Sequence, residues 1–175
     1  MKSFFIFAGL LIFCPLIHSR PLATKVALTW SYENFLGKIK LYKLKPDQEH
    51  YISKTAIADS ISESPVTAEI TGQIEAKMNG STAFALVVQN DTEKDFYFYA
   101  VPHEMNPHHA SAGHYFECLC VGRVYRVPAK KVWYRIVRIN LNESFKPINS
   151  FEINHKIVGL DKTEAESKYK DKIYE

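Results

Sequence analysis

The side chains best suited to chemistry are concentrated between residues 103 and 120. This segment holds four of the seven histidines and two of the three cysteines of the chain. Imidazole, thiolate and thioether groups are ligands of soft or borderline transition metals, and no carboxylate cluster suited to calcium or magnesium lies beside them. The sequence therefore predicts a transition-metal site. Its candidate ligands are Cys118, Cys120, Met105, His103, His108, His109 and His114.

The two cysteines of this segment are separated only by Leu119. If Cys118 and Cys120 lie in a strand, their side chains share one face about 6.6 Å apart, and ordinary rotamers bring the sulfurs close enough for one ion. A disulfide between them would close a small, strained and easily reduced ring. The spacing favours reversible metal or redox work. Two small core residues, or an adventitious disulfide, is the alternative interpretation.

The histidines of the segment differ in their promise as ligands. His103, His108 and His109 lie next to prolines, which indicates a loop, and surface histidines in loops often have no function. His114 would lie about 13 Å from Cys118 along a strand, too far to share an ion without a bend. Met105 stands in a polar loop, where it fills no core, and with His103 it forms a soft pair that favours copper(I) over zinc.

Other kinds of site fit the spacing less well. A blue-copper site needs a histidine and usually a methionine after its cysteine, whereas the next histidine after Cys120 is His155 and no methionine follows. A structural zinc site needs two ligand pairs, of which only one is clear. A Cys118 nucleophile would have no visible orienting group, and phosphate loops and a serine-hydrolase elbow are absent. We therefore predict that the protein is not an enzyme.

The elements that must position these ligands are mostly strands. Segments rich in β-branched and aromatic residues, several alternating with period two, are separated by short polar turns. The predicted strands are Ala23 to Trp30, Lys38 to Leu44, Val66 to Ile74, Thr82 to Gln89, Phe96 to Val101, His114 to Val121, Lys131 to Leu141 and Ser150 to Val158. Residues 47–65 are predicted to be a loop or a helical turn. The fold class predicted is all-β, an antiparallel β-sandwich of the immunoglobulin or cupredoxin kind.

Composition and the N-terminal segment set the organisation of the chain. The 175 residues predict one domain, and 22 basic against 19 acidic side chains, without a basic stripe, argue against a nucleic-acid partner. Residues 1–19 combine Lys2 with an uncharged apolar run, as in a secretory signal peptide. We expect a β-sandwich copper-binding domain over residues 20–160 and a charged C-terminal tail over residues 161–175. The expected location is periplasmic or extracellular, or membrane-attached if the N-terminal segment is retained.

The middle of the chain resembles the CtaG-type copper-delivery assembly factors of cytochrome c oxidase. The resemblance covers roughly residues 80–140, and its features are an asparagine-containing turn, a strand ending in V-x-P and a C-x-C led by tyrosine and phenylalanine. In this sequence the corresponding segments are Phe84 to Thr92, Tyr99 to Pro102, in which valine directly precedes the proline, and Tyr115 to Cys120. It implies an immunoglobulin-like fold, Cys118 and Cys120 as the copper(I) thiolates, and donation of copper to a membrane oxidase.

Together these observations predict an exported protein that holds copper, as Cu(I), on the C-x-C pair, with Met105 and the neighbouring histidines completing, shielding or relaying the ion. The expected partner is a copper-receiving membrane or periplasmic protein. If one C-x-C supplies only two ligands, a copper-dependent homodimer follows. A cell-envelope interaction module without a metal, and a thiol-disulfide exchange protein, remain as alternatives.

Overall fold

A computed structural model describes residues 23–146 and 148–174 of the chain. Its strands form two sheets packed face to face, so the predicted all-β sandwich is confirmed. The predicted signal peptide, residues 1–19, lies outside the described residues. Across the part of the chain that is described, no helix is long and apolar enough to cross a membrane.

The first sheet carries one half of the sandwich and, at its centre, a long strand next to the candidate site. Its main path runs β13-β10-β7-β12-β1-β5, and β8 also pairs with β12. These strands are β1 (Ala23–Glu33), β5 (Gln73–Lys77), β7 (Phe96–Ala100), β8 (Glu104–Asn106), β10 (Val124–Val127), β12 (Ser150–Leu160) and β13 (Ile173–Tyr174).

The second sheet runs β3-β11-β6-β2-β4, with β9 also paired to β11. Its strands are β2 (Lys40–Leu44), β3 (Thr55–Ala58), β4 (Val66–Glu69), β6 (Gly80–Gln89), β9 (His114–Phe116) and β11 (Val132–Leu141). Most pairings in both sheets are antiparallel. The long pair β1 and β12 is parallel, however, over nine residue pairs that include Trp30 opposite His155.

The core lies between the two sheets. Period-two alternation turns Phe151, Ile153, His155 and Ile157 of β12 inward, and β11 sends Trp133 and Val137 to meet them. β6 is buried on both faces from Phe84 to Val88, as its unbroken apolar run predicts.

Three secondary-structure predictions need correction. The segment Val66 to Ile74 is two strands, because Gly72 adopts a positive φ of 88° and turns the chain between them. The loop predicted for residues 47–65 contains β3, which pairs with β11. The strand predicted for His114 to Val121 ends at Phe116, so the two cysteines lie in a loop.

The charged residues after 160 fold against the first sheet. Helix α1 (Lys162–Lys168) begins with Asp161, whose side chain accepts a hydrogen bond from the backbone N–H of Glu164 at 2.7 Å. Ala165 of this helix is fully buried beside Tyr97 and Val124. β13 then pairs with β10, the strand that follows the cysteine loop.

Candidate metal centre

The loop between β9 and β10 curls so that its two cysteine sulfurs face one point. The backbone N–H of Cys120 donates to Sγ of Cys118 at 3.1 Å, and the N–H of Val121 donates to the carbonyl of Leu119 at 2.9 Å. Leu119 is fully buried in the core, and its carbonyl also accepts a hydrogen bond from the Tyr125 hydroxyl at 3.3 Å. The apolar residue between the cysteines thus anchors the loop, and the turn replaces the expected strand.

His103 is the histidine of the predicted set that reaches the cysteines. Its Nδ1 atom lies 3.6 Å from Sγ of Cys118 and 3.5 Å from Sγ of Cys120. His103 immediately precedes β8, and the pairing of β8 with β12 fixes the position of this residue. A segment predicted to be a loop therefore brings one imidazole to the thiol pair through a short edge strand.

His155, on the central strand β12, completes a group of four possible ligands. One ligand atom from each of His103, Cys118, Cys120 and His155 lies within 4.8 Å of the others. His155 is only 2% exposed, and neither of its ring nitrogens has a hydrogen-bond partner. Its ring stacks on Trp30, with centroids 4.7 Å apart. Buried polar atoms are nearly always hydrogen-bonded, so two unpartnered nitrogens on one buried ring are an exception that needs a reason.

The pKa values of the two thiols are shifted in opposite directions. A hydrogen bond from the Cys120 thiol, joined by weaker interactions with the neighbouring imidazoles, lowers the pKa of Cys118 well below the ordinary cysteine value. The same sulfur–sulfur hydrogen bond raises the pKa of Cys120, and burial raises it further. The lowered pKa favours the thiolate of Cys118, which is the form of cysteine that binds metals.

The centre opens to solvent on one side. A cleft of about 310 Å³ is lined by both cysteines and His103. Cys120 and His103 are half-buried, whereas Cys118 and His155 are buried. Two exposed apolar side chains, Tyr115 and Val121, also line this cleft. An ion held by the four side chains would therefore be reached from the side of Cys120 and His103.

The other predicted ligands lie at different places. Met105 is half-buried on β8, opposite Ile153 of β12, and packs against the core, so it does fill core space. His108 and His109 are exposed in a short 3-10 helix (His108–Ser111). His114 is half-buried, with its ring centroid 6.1 Å from that of His103 and its Nδ1 atom 2.9 Å from the Ser111 carbonyl. None of these three histidines belongs to the group of four ligand atoms found among the described residues.

Sequence reasoning missed His155 because it lies 35 residues beyond Cys120 and was judged by chain distance. The signal that could have revealed His155 is its position in the alternation of inward and outward residues along the strand. His155 occupies an inward position in an alternating apolar strand, between Ile153 and Ile157. An imidazole at such a position needs a polar partner, and the fold places it within 4.8 Å of the cysteine sulfurs without a hydrogen bond to them.

Two sulfurs and two imidazole nitrogens converging at one point can bind a metal ion. The donors suit soft or borderline transition metals, and the unpartnered nitrogens of His155 give this residue capacity to bind one. The fit of the group therefore rests on both its donor chemistry and its unsatisfied buried atoms.

The chain was compared with known proteins by family and by structure. Neither a curated protein nor a solved structure matches it. A family model described as a domain of unknown function (DUF8709) matches residues 24–160, which include every strand from β2 to β12 and all four possible ligands. Because this match covers most of the chain, the protein belongs to the DUF8709 family.

Proposed function

We propose that this protein is an exported copper carrier that holds Cu(I) on Cys118 and Cys120, assisted by His103 and His155. The observation that carries the proposal is the convergence of two thiols on two imidazoles, one of which is buried without any hydrogen bond. A buried polar group without a partner destabilises a fold by about 1–3 kcal/mol. Metal binding gives the ring of His155 the partner that the protein itself does not offer.

Copper(I) is the favoured ion for two reasons. Thiolates bind soft ions such as Cu(I) well, and the loop that bears them carries the resemblance to the CtaG-type copper-delivery factors. The half-buried positions of Cys120 and His103 also suit a carrier, because a recipient's ligands can approach the ion from the cleft. The expected role is delivery or buffering of copper for a cuproenzyme of the cell envelope.

Zinc is the second candidate, and a specific observation favours it. Two cysteines with two histidines are a ligand set of structural zinc sites, which are tetrahedral and closed. In that case the metal would stabilise the fold and would not be cargo. The two candidates differ in exchange, since a structural zinc ion would resist transfer to a recipient.

The copper-dependent homodimer, which is expected if one chain supplies only two ligands, stays a prediction. One chain offers four possible ligands, so a second copy is not needed to complete the coordination. Gel filtration with and without Cu(I) tests whether the protein nevertheless dimerises.

The deciding experiment is an anaerobic titration of the reduced protein with Cu(I) against a competing chelator, counting copper per chain. We expect one tightly bound copper, lost in the Cys118→Ser, Cys120→Ser double variant. His109→Ser is the control, because it removes an exposed candidate ligand that lies outside the group and should leave binding intact. Full copper affinity in the double variant would overturn the proposal.

The same protein separates the remaining alternatives. An interaction module without a metal predicts weak, cysteine-independent copper binding and unchanged partner binding in the double variant. A thiol-disulfide exchange protein predicts a reversible Cys118–Cys120 bond with an oxidising potential and no tight copper affinity.

A further inference from the structure

Arg135 is a buried cation on the inner face of the sandwich. It lies on β11 between Trp133 and Val137, both of which belong to the core, and it is only 6% exposed. No carboxylate among the described residues forms an ion pair with it; the acidic residue nearest in the cleft, Glu117, pairs instead with Arg138 at 2.7 Å. A charge in this position is costly unless something of opposite sign accompanies it.

The hydrogen bonds of Arg135 hold it in place without neutralising it. Its Nη1 atom donates to the Ser53 carbonyl at 2.7 Å and to the Thr55 hydroxyl at 2.8 Å, whereas its Nε atom has no partner. Its guanidinium carbon lies 5.8 Å from the centre of the Tyr125 ring. All of these neighbours are uncharged, so the positive charge remains uncompensated by them.

The anions available to Arg135 are the cysteine sulfurs. Arg135 lines the same cleft as Cys118 and Cys120, and the Tyr125 ring beneath its guanidinium ends in a hydroxyl bonded to the carbonyl of Leu119, between the two cysteines. The other charged side chain lining the cleft, Glu117, is already paired. Among the side chains that line the cleft, the cysteine sulfurs, once deprotonated, are therefore the anions left to balance Arg135.

We propose that Arg135 makes this site select a monovalent cation over a divalent one. The inference rests on the proposed function, since it concerns the ion held by the same cysteines. Two thiolates with Cu(I) carry one net negative charge, which the guanidinium balances. Two thiolates with Zn(II) carry none, and the buried guanidinium then has no counter-charge.

The preference does not depend on the protonation of the metal-free pair. If the free pair carries one thiolate, either metal displaces the remaining thiol proton to solvent. The charge of Arg135 then leaves the Cu(I) affinity unchanged and lowers the Zn(II) affinity. If the free pair is fully protonated, both protons leave when a metal binds. The charge of Arg135 then raises the Cu(I) affinity and leaves the Zn(II) affinity unchanged. In both cases the ratio of the Cu(I) affinity to the Zn(II) affinity is raised by one interaction between unit charges.

The test measures both affinities by competition with chelators in the wild type and in Arg135→Gln. We expect the ratio of Cu(I) to Zn(II) affinity to fall roughly tenfold, the scale of one charge interaction in a partly buried site. Arg135→Lys keeps the charge and should keep the ratio. Arg123→Gln is the control for net charge, because it removes an exposed cation near the same loop, where water screens its effect.

A second pair of variants covers the event that Arg135→Gln does not fold. Thr55→Glu places a carboxylate against Nη1 of Arg135 and neutralises it in place, and Thr55→Gln is its uncharged match. We expect the ratio of Cu(I) to Zn(II) affinity to fall in Thr55→Glu and to stay unchanged in Thr55→Gln. Circular dichroism confirms that each variant is folded before it is titrated.

The outcomes separate this inference from the proposed function. If the wild type binds neither metal tightly, the proposed function fails, and with it the inference. If the wild type binds Cu(I) but the ratio is unchanged in both Arg135→Gln and Thr55→Glu, the carrier stands and the role of Arg135 is refuted. A ratio that falls equally in Arg123→Gln would also refute it, because net charge alone would then explain the preference.

Discussion

At the scale of single residues, we expect His155 to lower the stability of the metal-free protein and to strengthen metal binding. It is buried on β12 with neither ring nitrogen hydrogen-bonded, and it stacks on Trp30 at 4.7 Å. Phenylalanine at this position would keep an aromatic ring for the stack and remove the two unsatisfied atoms. We expect His155→Phe to raise the free energy of unfolding of the metal-free protein by about 1 kcal/mol. The same change should weaken Cu(I) binding by about tenfold or more, which is the loss of affinity expected when a ligand or a residue that supports a ligand is removed.

Denaturant unfolding of the metal-free variant and a chelator competition measure the two effects separately. The matched control is His50→Phe, because His50 is also part-buried and has one nitrogen without a partner but lies outside the ligand group. A less stable metal-free His155→Phe protein would contradict the interpretation, since it would mean that the imidazole already has partners in the fold.

At the scale of elements, the turn between β6 and β7 depends on one buried side chain. Asn90 is 1% exposed, and its Nδ2 atom donates to the carbonyls of Lys94 at 2.8 Å and Val127 at 3.0 Å. Its Oδ1 atom accepts from the backbone N–H of Thr92 at 3.0 Å. One amide therefore closes its own turn and ties it to the end of β10, the strand that leaves the cysteine loop.

We expect Asn90→Ala to lower the free energy of unfolding by about 2–4 kcal/mol, because several buried backbone groups lose their partner at once. Asn90→Asp is the informative companion: it has nearly the same shape but offers an acceptor to carbonyl oxygens that need a donor. It should be at least as destabilising as alanine. Urea unfolding measures both, and an aspartate variant as stable as the wild type would rule out the role of Nδ2.

Element patterns explain how far sequence alone could go. The alternation in β12 and the apolar run of β6 are local signals, so the sandwich could be predicted from them. The cysteine loop could not, because its shape depends on Leu119 being buried in the core and on a hydrogen bond to Tyr125, a contact made only after the sheets pack. The same applies to His155, whose approach to Cys118 depends on the packing of β12 against the second sheet.

At the scale of the whole molecule, the C-terminal segment packs against the sheet edge next to the candidate metal centre. Ala165 of α1 is fully buried against Tyr97 and Val124, and β13 adds to the edge of β10. The ring of Tyr174 in β13 also lies 4.9 Å from the guanidinium of Arg123, just after the cysteine loop. The residues predicted to form a charged C-terminal tail thus cover the apolar edge of the first sheet, with their charges on the outer side of the helix.

Lysine at the buried position should undock this segment without touching a ligand. We expect Ala165→Lys to lower the free energy of unfolding by about 2–4 kcal/mol, because a charge and a long side chain replace a methyl group in a closed contact. Ser167→Lys adds the same charge to an exposed position of α1 and should change stability by less than about 0.5 kcal/mol.

All four possible ligands lie outside the segment, so both variants should still bind one copper while folded. Under the proposed function, saturating Cu(I) should then raise the unfolding midpoint of each variant, because the native state brings the four possible ligands together and binds the ion more tightly than the unfolded chain. Equal stability of the two lysine variants in thermal unfolding would show that the helix is not docked.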